Sequence, residues 1–91
     1  MDFEWDEAKA SLNLRKHGID FDEAARIFAG PVRTVSDARR DYGEPRFIAL
    51  GQVQGRTLRV TYTIRGGRYR IISAWKAGRH DQEAYRSYVA G

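Results

Sequence analysis

Hydrophobic and polar residues follow a helical period early in the chain and an alternating one later. Asp6 is placed to N-cap a helix running to about His17, where Gly18 supplies a left-handed stop. Trp5, Ala8 and Leu12 fall on one stripe at helical spacing, and Lys9, Asn13, Lys16 and His17 form an adjoining polar face. A second helix is predicted from Asp20, with Glu23 completing a capping-box-like pair. Phe21, Ala24, Ala25 and Phe28 are its apolar face, and Gly30-Pro31 ends it.

From Val32 the pattern alternates. Val32 to Ser36 reads as a short strand, Asp37 to Gly43 as a polar loop, and Arg46 to Val53 as a second strand before a tight turn at Gln54-Gly55. Between Thr57 and Ile64 the residues Leu58, Val60, Tyr62 and Ile64 are expected to face inward and Arg59, Thr61 and Thr63 outward. Gly66-Gly67 is a further hairpin turn. Tyr69 to Trp75 is a fourth strand, whose adjacent isoleucines predict burial on both faces. Arg79 to Val89 is a last helix, with Ala84, Tyr85 and Tyr88 available for packing. The order predicts an α+β fold: two N-terminal helices, a four-stranded antiparallel sheet and a C-terminal helix. Residues 1–91 are expected to form one domain, because a chain of 91 residues supports a single small core.

Composition narrows the class of protein. A hydrophobic share of 42% with 31% charged residues is globular rather than disordered. No apolar run approaches the ~20 residues of a bilayer-spanning helix, and the acidic start Met1-Asp2-Phe3-Glu4-Trp5-Asp6 predicts no secretory signal. The expectation is a soluble cytoplasmic domain without a membrane role. There is no cysteine, and the two histidines are far apart, so neither a disulfide framework nor a metal site is expected.

Charge is unevenly distributed. Met1 to Pro45 holds seven Lys and Arg against ten Asp and Glu, whereas Arg46 to Gly91 holds nine against two. All nine are arginine except Lys76, and the planar guanidinium fork suits phosphate. A polyanion or an acidic protein segment is the expected partner.

No phosphate loop, dinucleotide fingerprint, metal-protease motif or nucleophile elbow is present. One cofactor-free chemistry fits the residues. RNA carries its own nucleophile in the 2′-hydroxyl, so its cleavage needs only a base, an acid for the leaving 5′-oxygen, and cations around the phosphorane. His17 beside Lys16 is the first candidate pair, although a cation in the last helical turn also complements the helix dipole. His80 beside Arg79 is the second, with a solvated helix start as the alternative. Arg59 and Arg70 should project from neighbouring strands and could clamp a phosphate. Glu44 and Arg46, two residues apart, suit a local ion pair as well as a site. Tyr85 is a phenol for proton transfer or a core filler.

In combination these residues resemble the BrnT toxin family of bacterial type II toxin–antitoxin systems. The resemblance begins at Phe3-Glu4-Trp5-Asp6, passes through Lys9 and Asn13, and reaches Lys16-His17-Gly18, the most specific spacing. It continues at Phe21, Glu23-Ala24, Gly43-Glu44-Pro45-Arg46 and Gly51, then at Leu58, Val60, Tyr62-Thr63 and Arg70-Ile71-Ile72-Ser73-Ala74.

The resemblance implies a RelE-like fold and a metal-independent endoribonuclease that inhibits translation. It further implies neutralisation by a BrnA-like antitoxin in a two-plus-two complex, which reaches operator DNA only through the antitoxin. Lys16, His17, Glu44, Arg70, Arg79 and Tyr85 are then the candidate catalytic residues, and Arg46, Arg59, Lys76 and His80 the candidate substrate-binding ones. Two positions depart from the family pattern. Trp75 stands where an arginine is usual, and Asp81-Gln82 replaces the usual Glu-Arg pair. Losing a guanidinium that stabilises transition-state charge costs ~10²–10³-fold in rate, so a weakened toxin is expected unless another arginine takes over and Trp75 instead packs or stacks a base. The alternative reading is a non-catalytic module that holds the antitoxin and acts as transcriptional co-repressor.

Overall fold

A computed structural model describes residues 1–91. Its elements are β1 (Phe3–Trp5), α1 (Glu7–His17), α2 (Phe21–Ala25), a 3₁₀ turn (Arg26–Ala29), β2 (Arg33–Ser36), β3 (Phe47–Val53), β4 (Arg56–Arg65), β5 (Arg68–Lys76) and α3 (Arg79–Ala90). The mixed α+β class is as expected, but the sheet has five strands rather than four, in the order β1-β5-β4-β3-β2. The additional strand, β1, lies parallel to β5 with Phe3 opposite Tyr69 and Trp5 opposite Ile71, so the sheet is not purely antiparallel. Three residues are too few to display an alternating period, which is why Trp5 reads in sequence as part of the apolar stripe of Ala8 and Leu12.

Capping sets both N-terminal helices. The Asp6 carboxylate accepts from the Lys9 N–H at 3.1 Å and the Asp20 carboxylate from the Glu23 N–H at 2.7 Å. Glu23 does not complete a capping box, because its side chain is engaged by Arg56. The second helix also ends early: after Ala25 it tightens into the 3₁₀ turn that carries Ile27 over β3. Gly51 permits that crossing, since a Cβ there would lie 2.8 Å from the Ile27 Cβ.

The face of α1 that enters the protein is not the predicted one. Leu12 is 44% exposed and Ala8 is exposed, whereas Asn13 is only 6% exposed. The Asn13 amide donates to the Ala74 carbonyl at 2.7 Å and to the Ile19 carbonyl at 3.0 Å, and its oxygen accepts from the Ala74 N–H at 3.1 Å. Pairing of β1 with β5 stops at Ile71. Beyond that point Asn13 does the work of a neighbouring strand for Ala74, satisfying edge groups that burial would otherwise leave bare.

Ile19, Phe21, Ala24 and Ile27 pack with Ala49, Leu58, Val60, Tyr62, Ile71 and Ala74 in one core on the helix side of the sheet. Phe3, Phe28, Phe47 and Tyr69 extend it as an aromatic cluster, with the Tyr62 and Tyr69 rings stacked at 5.0 Å. Leu58, Val60 and Tyr62 face inward as expected, but Ile64 runs past the core and is 48% exposed. The hairpin turn at Gln54-Gly55 has φ of 52° and 77°, the left-handed pair that matches strand twist.

The opposite face of the sheet is covered rather than open. Thr61 and Thr63, expected outside, are buried. The loop between β2 and β3 folds back over Thr61, and the Thr63 hydroxyl donates to the Pro45 carbonyl. A bulge at Ile72 explains the doublet: Tyr62 pairs with Ile71 and Thr61 with Ser73, so Ile72 is the extra residue, half-buried on the loop side. The helix α3 packs on β3 and β4 through Tyr85, while Tyr88, also expected to pack, is half-exposed. No helix is long and apolar enough to cross a membrane.

Candidate functional site

The charge asymmetry of the sequence is largely neutralised in the fold. Arg56 pairs with Glu23, Arg65 and Arg46 with Glu44, and Arg70 and Arg68 with Glu4, so second-half arginines meet first-half carboxylates. Arg59 is held by Asp81 at 2.9 Å and Arg39 by Asp37 at 2.8 Å. Cations without a carboxylate partner therefore matter more than the gross count.

Two of them gather with a histidine at one place. Lys16 and His17, in the last turn of α1, meet Trp75 and Lys76, at the end of β5, around a hollow of about 410 Å³. Lys9 and Lys16 line an adjoining hollow with His17 and Ser73. The bonds of Asn13 to Ala74 fix this geometry, because they set the register of α1 on β5 one residue before Trp75. The His17 and Trp75 rings lie 5.2 Å apart at 43°. The Arg59 guanidinium carbon is 5.8 Å from the centre of the indole.

Trp75 also borders a second hollow of about 390 Å³, lined by Arg39, Arg40, Tyr42 and Arg46 from the loop between β2 and β3. Asp37 shapes this loop. Its buried carboxylate accepts two bonds from the Arg39 guanidinium and one from the Tyr42 hydroxyl, while its N–H donates to the Arg46 carbonyl across the loop neck. The Arg39 guanidinium holds the Asp37 carboxyl well below the usual carboxylate range, and Asp37 in turn raises Arg39. The guanidinium carbons of Arg46 and Arg40 lie 4.1 and 5.1 Å from the Tyr42 ring, within cation–π reach.

The sequence candidates thus separate. Lys16, His17 and Lys76 come together, Arg59 approaches Trp75, and Arg46 borders the second hollow. Glu44 sits with Arg65 and Arg46, and the Arg65 guanidinium foremost keeps its carboxyl below the ordinary range, so it is a stable anion rather than a ready base. Arg70 turns toward the β1 edge, bonded to Glu4 at 2.7 Å. Tyr85 is buried and its hydroxyl donates to the Pro31 carbonyl at 2.8 Å. Arg79 and His80 are exposed in the first turn of α3. Gln82 caps the β5–α3 junction by donating to the Ala77 carbonyl at 2.8 Å.

Arg39, Arg40 and Tyr42 were not among the sequence candidates. Their signal, two arginines and a tyrosine in a polar loop, is indistinguishable from a solvated turn until the Asp37 anchor is seen. The largest hollow, about 570 Å³ between α3 and the β3–β4 turn, includes Arg56, Lys76 and Arg86, but no histidine or carboxylate lines it. The Lys16–His17–Trp75–Lys76 surface is where an imidazole and unpaired lysines coincide.

A comparison with curated proteins returned no match. A comparison with family profiles gave one for residues 5–81, a span that includes α1, the whole sheet from Trp5 onward and the start of α3. On that match the chain belongs to the family described as the ribonuclease toxin, BrnT, of type II toxin–antitoxin systems.

Proposed function

We propose that the surface formed by the end of α1 and the end of β5 is the RNA-cleaving site of an endoribonuclease toxin. The observation that carries this reading is His17, an imidazole in a hollow lined by the unpaired lysines Lys16 and Lys76. An imidazole can serve either as proton donor or as proton acceptor. In the reaction, the 2′-oxygen of a ribose attacks the adjacent phosphorus, its proton passes to a base, and the 5′-oxygen leaves with a proton from an acid. The products are a 2′,3′-cyclic phosphate and a 5′-hydroxyl. His17 performs one of the two transfers. Lys16 and Lys76 hold the phosphate and offset the charge that builds on the phosphorane. None of these roles calls on a cofactor.

Arg59, beside Trp75, provides a guanidinium near the position where an arginine is usual in the family. Its bond to Asp81 divides its charge, and Gln82 contributes none, so this toxin is slower than one bearing both arginines. Translation stops because messenger or ribosomal RNA is cut in the cytoplasm. A BrnA-like antitoxin, two copies to two of toxin, covers the surface and carries the complex to operator DNA.

Induction in a bacterial host tests the reading, with growth and amino-acid incorporation followed for the parent, His17→Gln and Trp75→Arg. The expected result is arrest by the parent, relief by the cognate antitoxin, no arrest by His17→Gln, and faster arrest by Trp75→Arg. Absence of arrest by either the parent or Trp75→Arg, with antitoxin binding intact, favours the non-catalytic antitoxin-binding module instead.

A further inference from the structure

Trp75 stands apart from most of the large aromatic residues of this chain. Phe3, Trp5, Phe21, Phe28, Phe47, Tyr62 and Tyr69 belong to or flank the helix-side core, whereas Trp75 lies on the opposite face of the sheet, half-buried and outside that cluster. It stands between two basic hollows. One holds Lys16, His17 and Lys76, and the other is bordered by Arg40, the loop arginine that has no carboxylate partner. Its immediate neighbours are an imidazole at 5.2 Å and a guanidinium carbon at 5.8 Å. The His17 ring is tilted by 43°, so it does not cover the indole as a parallel stack would.

We infer that Trp75 is a stacking platform for one unpaired nucleobase of single-stranded RNA, with the flanking phosphates held by Lys16 and Lys76 on one side and Arg40 on the other. This inference rests on the ribonuclease reading for the identity of the ligand, but concerns binding rather than cleavage. Aromatic side chains with cations alongside are how single strands are held with little sequence preference, because every base has a π-face. A duplex keeps its bases stacked on one another and cannot offer one to the indole. The substrate is therefore a loop or unpaired stretch, and purines, with the larger ring system, bind more tightly than pyrimidines.

The test uses the full chain carrying Trp5→Phe, so that Trp75 is the sole indole. The probe is a short single-stranded RNA with every 2′-oxygen methylated, which has no free nucleophile and reports binding alone. The expected results are quenching of Trp75 fluorescence on binding and a Kd that Trp75→Ala weakens by about 5- to 150-fold. Trp75→Phe weakens it less. One abasic position in the oligonucleotide costs the parent as much as Trp75→Ala does, and costs the alanine variant nothing more. A duplex of the same length binds without regard to residue 75.

If abasic and Trp75→Ala losses add independently, or if Trp75→Ala leaves Kd unchanged, the inference is overturned. The same holds if Trp75→Ala weakens only the antitoxin, which assigns the indole to the protein partner. Should Trp75→Ala not fold, the parent suffices: an abasic series with no position that weakens binding and abolishes quenching overturns the platform. Binding that depends on Trp75 in a protein that fails to cut ordinary RNA supports this inference while rejecting the ribonuclease reading. Cutting with binding indifferent to Trp75 does the reverse.

Discussion

Replacing Asn13 by alanine should loosen the packing of α1 on β5 that frames the proposed site. The side chain is 6% exposed and makes three hydrogen bonds, two to the backbone of Ala74 and one to Ile19. Alanine leaves one N–H and two carbonyls without partners. At about 1–3 kcal/mol for each buried unsatisfied group, full exposure to that penalty would be ~3–9 kcal/mol. Water entering the vacated space restores part of it, and the net loss expected is about 3 kcal/mol. For a domain of this size that is a fall in Tm of ~12–24 °C. Asn13→Asp is the sharper control. It keeps an acceptor for the Ala74 N–H but sets a carboxylate against the Ala74 and Ile19 carbonyls. Its folded pKa is then raised above the unfolded value, so its deficit relative to the parent is smallest below the ordinary carboxylate range and grows as pH rises through the folded value. Leu12→Ala, one residue away on the exposed face, should cost no more than ~0.5 kcal/mol. Urea denaturation followed by circular dichroism at pH 4 and pH 7 reads all three. An Asn13→Ala variant within 1 kcal/mol of the parent, or a Leu12→Ala variant worse than it, refutes the assignment of the buried face of α1.

Three further predictions concern the frame and the loop. Gly51→Ala drives a Cβ to 2.8 Å from the backbone-fixed Cβ of Ile27, and should cost about 1–3 kcal/mol by denaturation, with activity retained in the folded fraction. Tyr85→Phe loses the bond to the Pro31 carbonyl and should cost about 1 kcal/mol, with the cleavage rate unchanged. A large rate loss there would place the phenol in the chemistry. Asp37, paired to Arg39 and Tyr42, has its folded pKa depressed. It therefore stabilises above the ordinary carboxylate range and loses that contribution as pH falls toward its low folded value. Between pH 5 and pH 2, Tm of Asp37→Asn should fall less steeply than that of the parent, and equal slopes would contradict the pairing.

Much of the frame was legible because local signals agreed with the fold. Asp6 and Asp20 cap where their side chains predict, Gln54-Gly55 turns, and Leu58-Val60-Tyr62 alternate into the core. The failures share a cause. Trp5, Ala8 and Leu12 form an apolar stripe, but the residue α1 buries is Asn13, because what it must meet is a bare strand edge rather than an oily surface. β1 escaped notice because a three-residue strand has no period and its partner lies more than sixty residues away.

The proposed site was partly readable for a related reason. Lys16 and His17 stand out as neighbours, and Lys76 as the lone lysine of an arginine-rich half. Which arginines are free is a tertiary fact. Arg70 and Arg46 look as available in sequence as Arg40, yet Glu4 and Glu44 hold the first two. The basic half predicts a polyanion partner by its count, while the fold leaves only a few of those charges uncommitted at any one surface.

The most direct measurement is single-turnover cleavage of a short single-stranded RNA by the purified protein, with the same strand carrying 2′-deoxyribose throughout as control. The account predicts cutting of the RNA alone, cyclic-phosphate ends, and a rate that His17→Gln lowers by ~10²–10⁴-fold with RNA binding preserved. Equal rates for the parent and His17→Gln, or cutting of the deoxyribose strand, would contradict it.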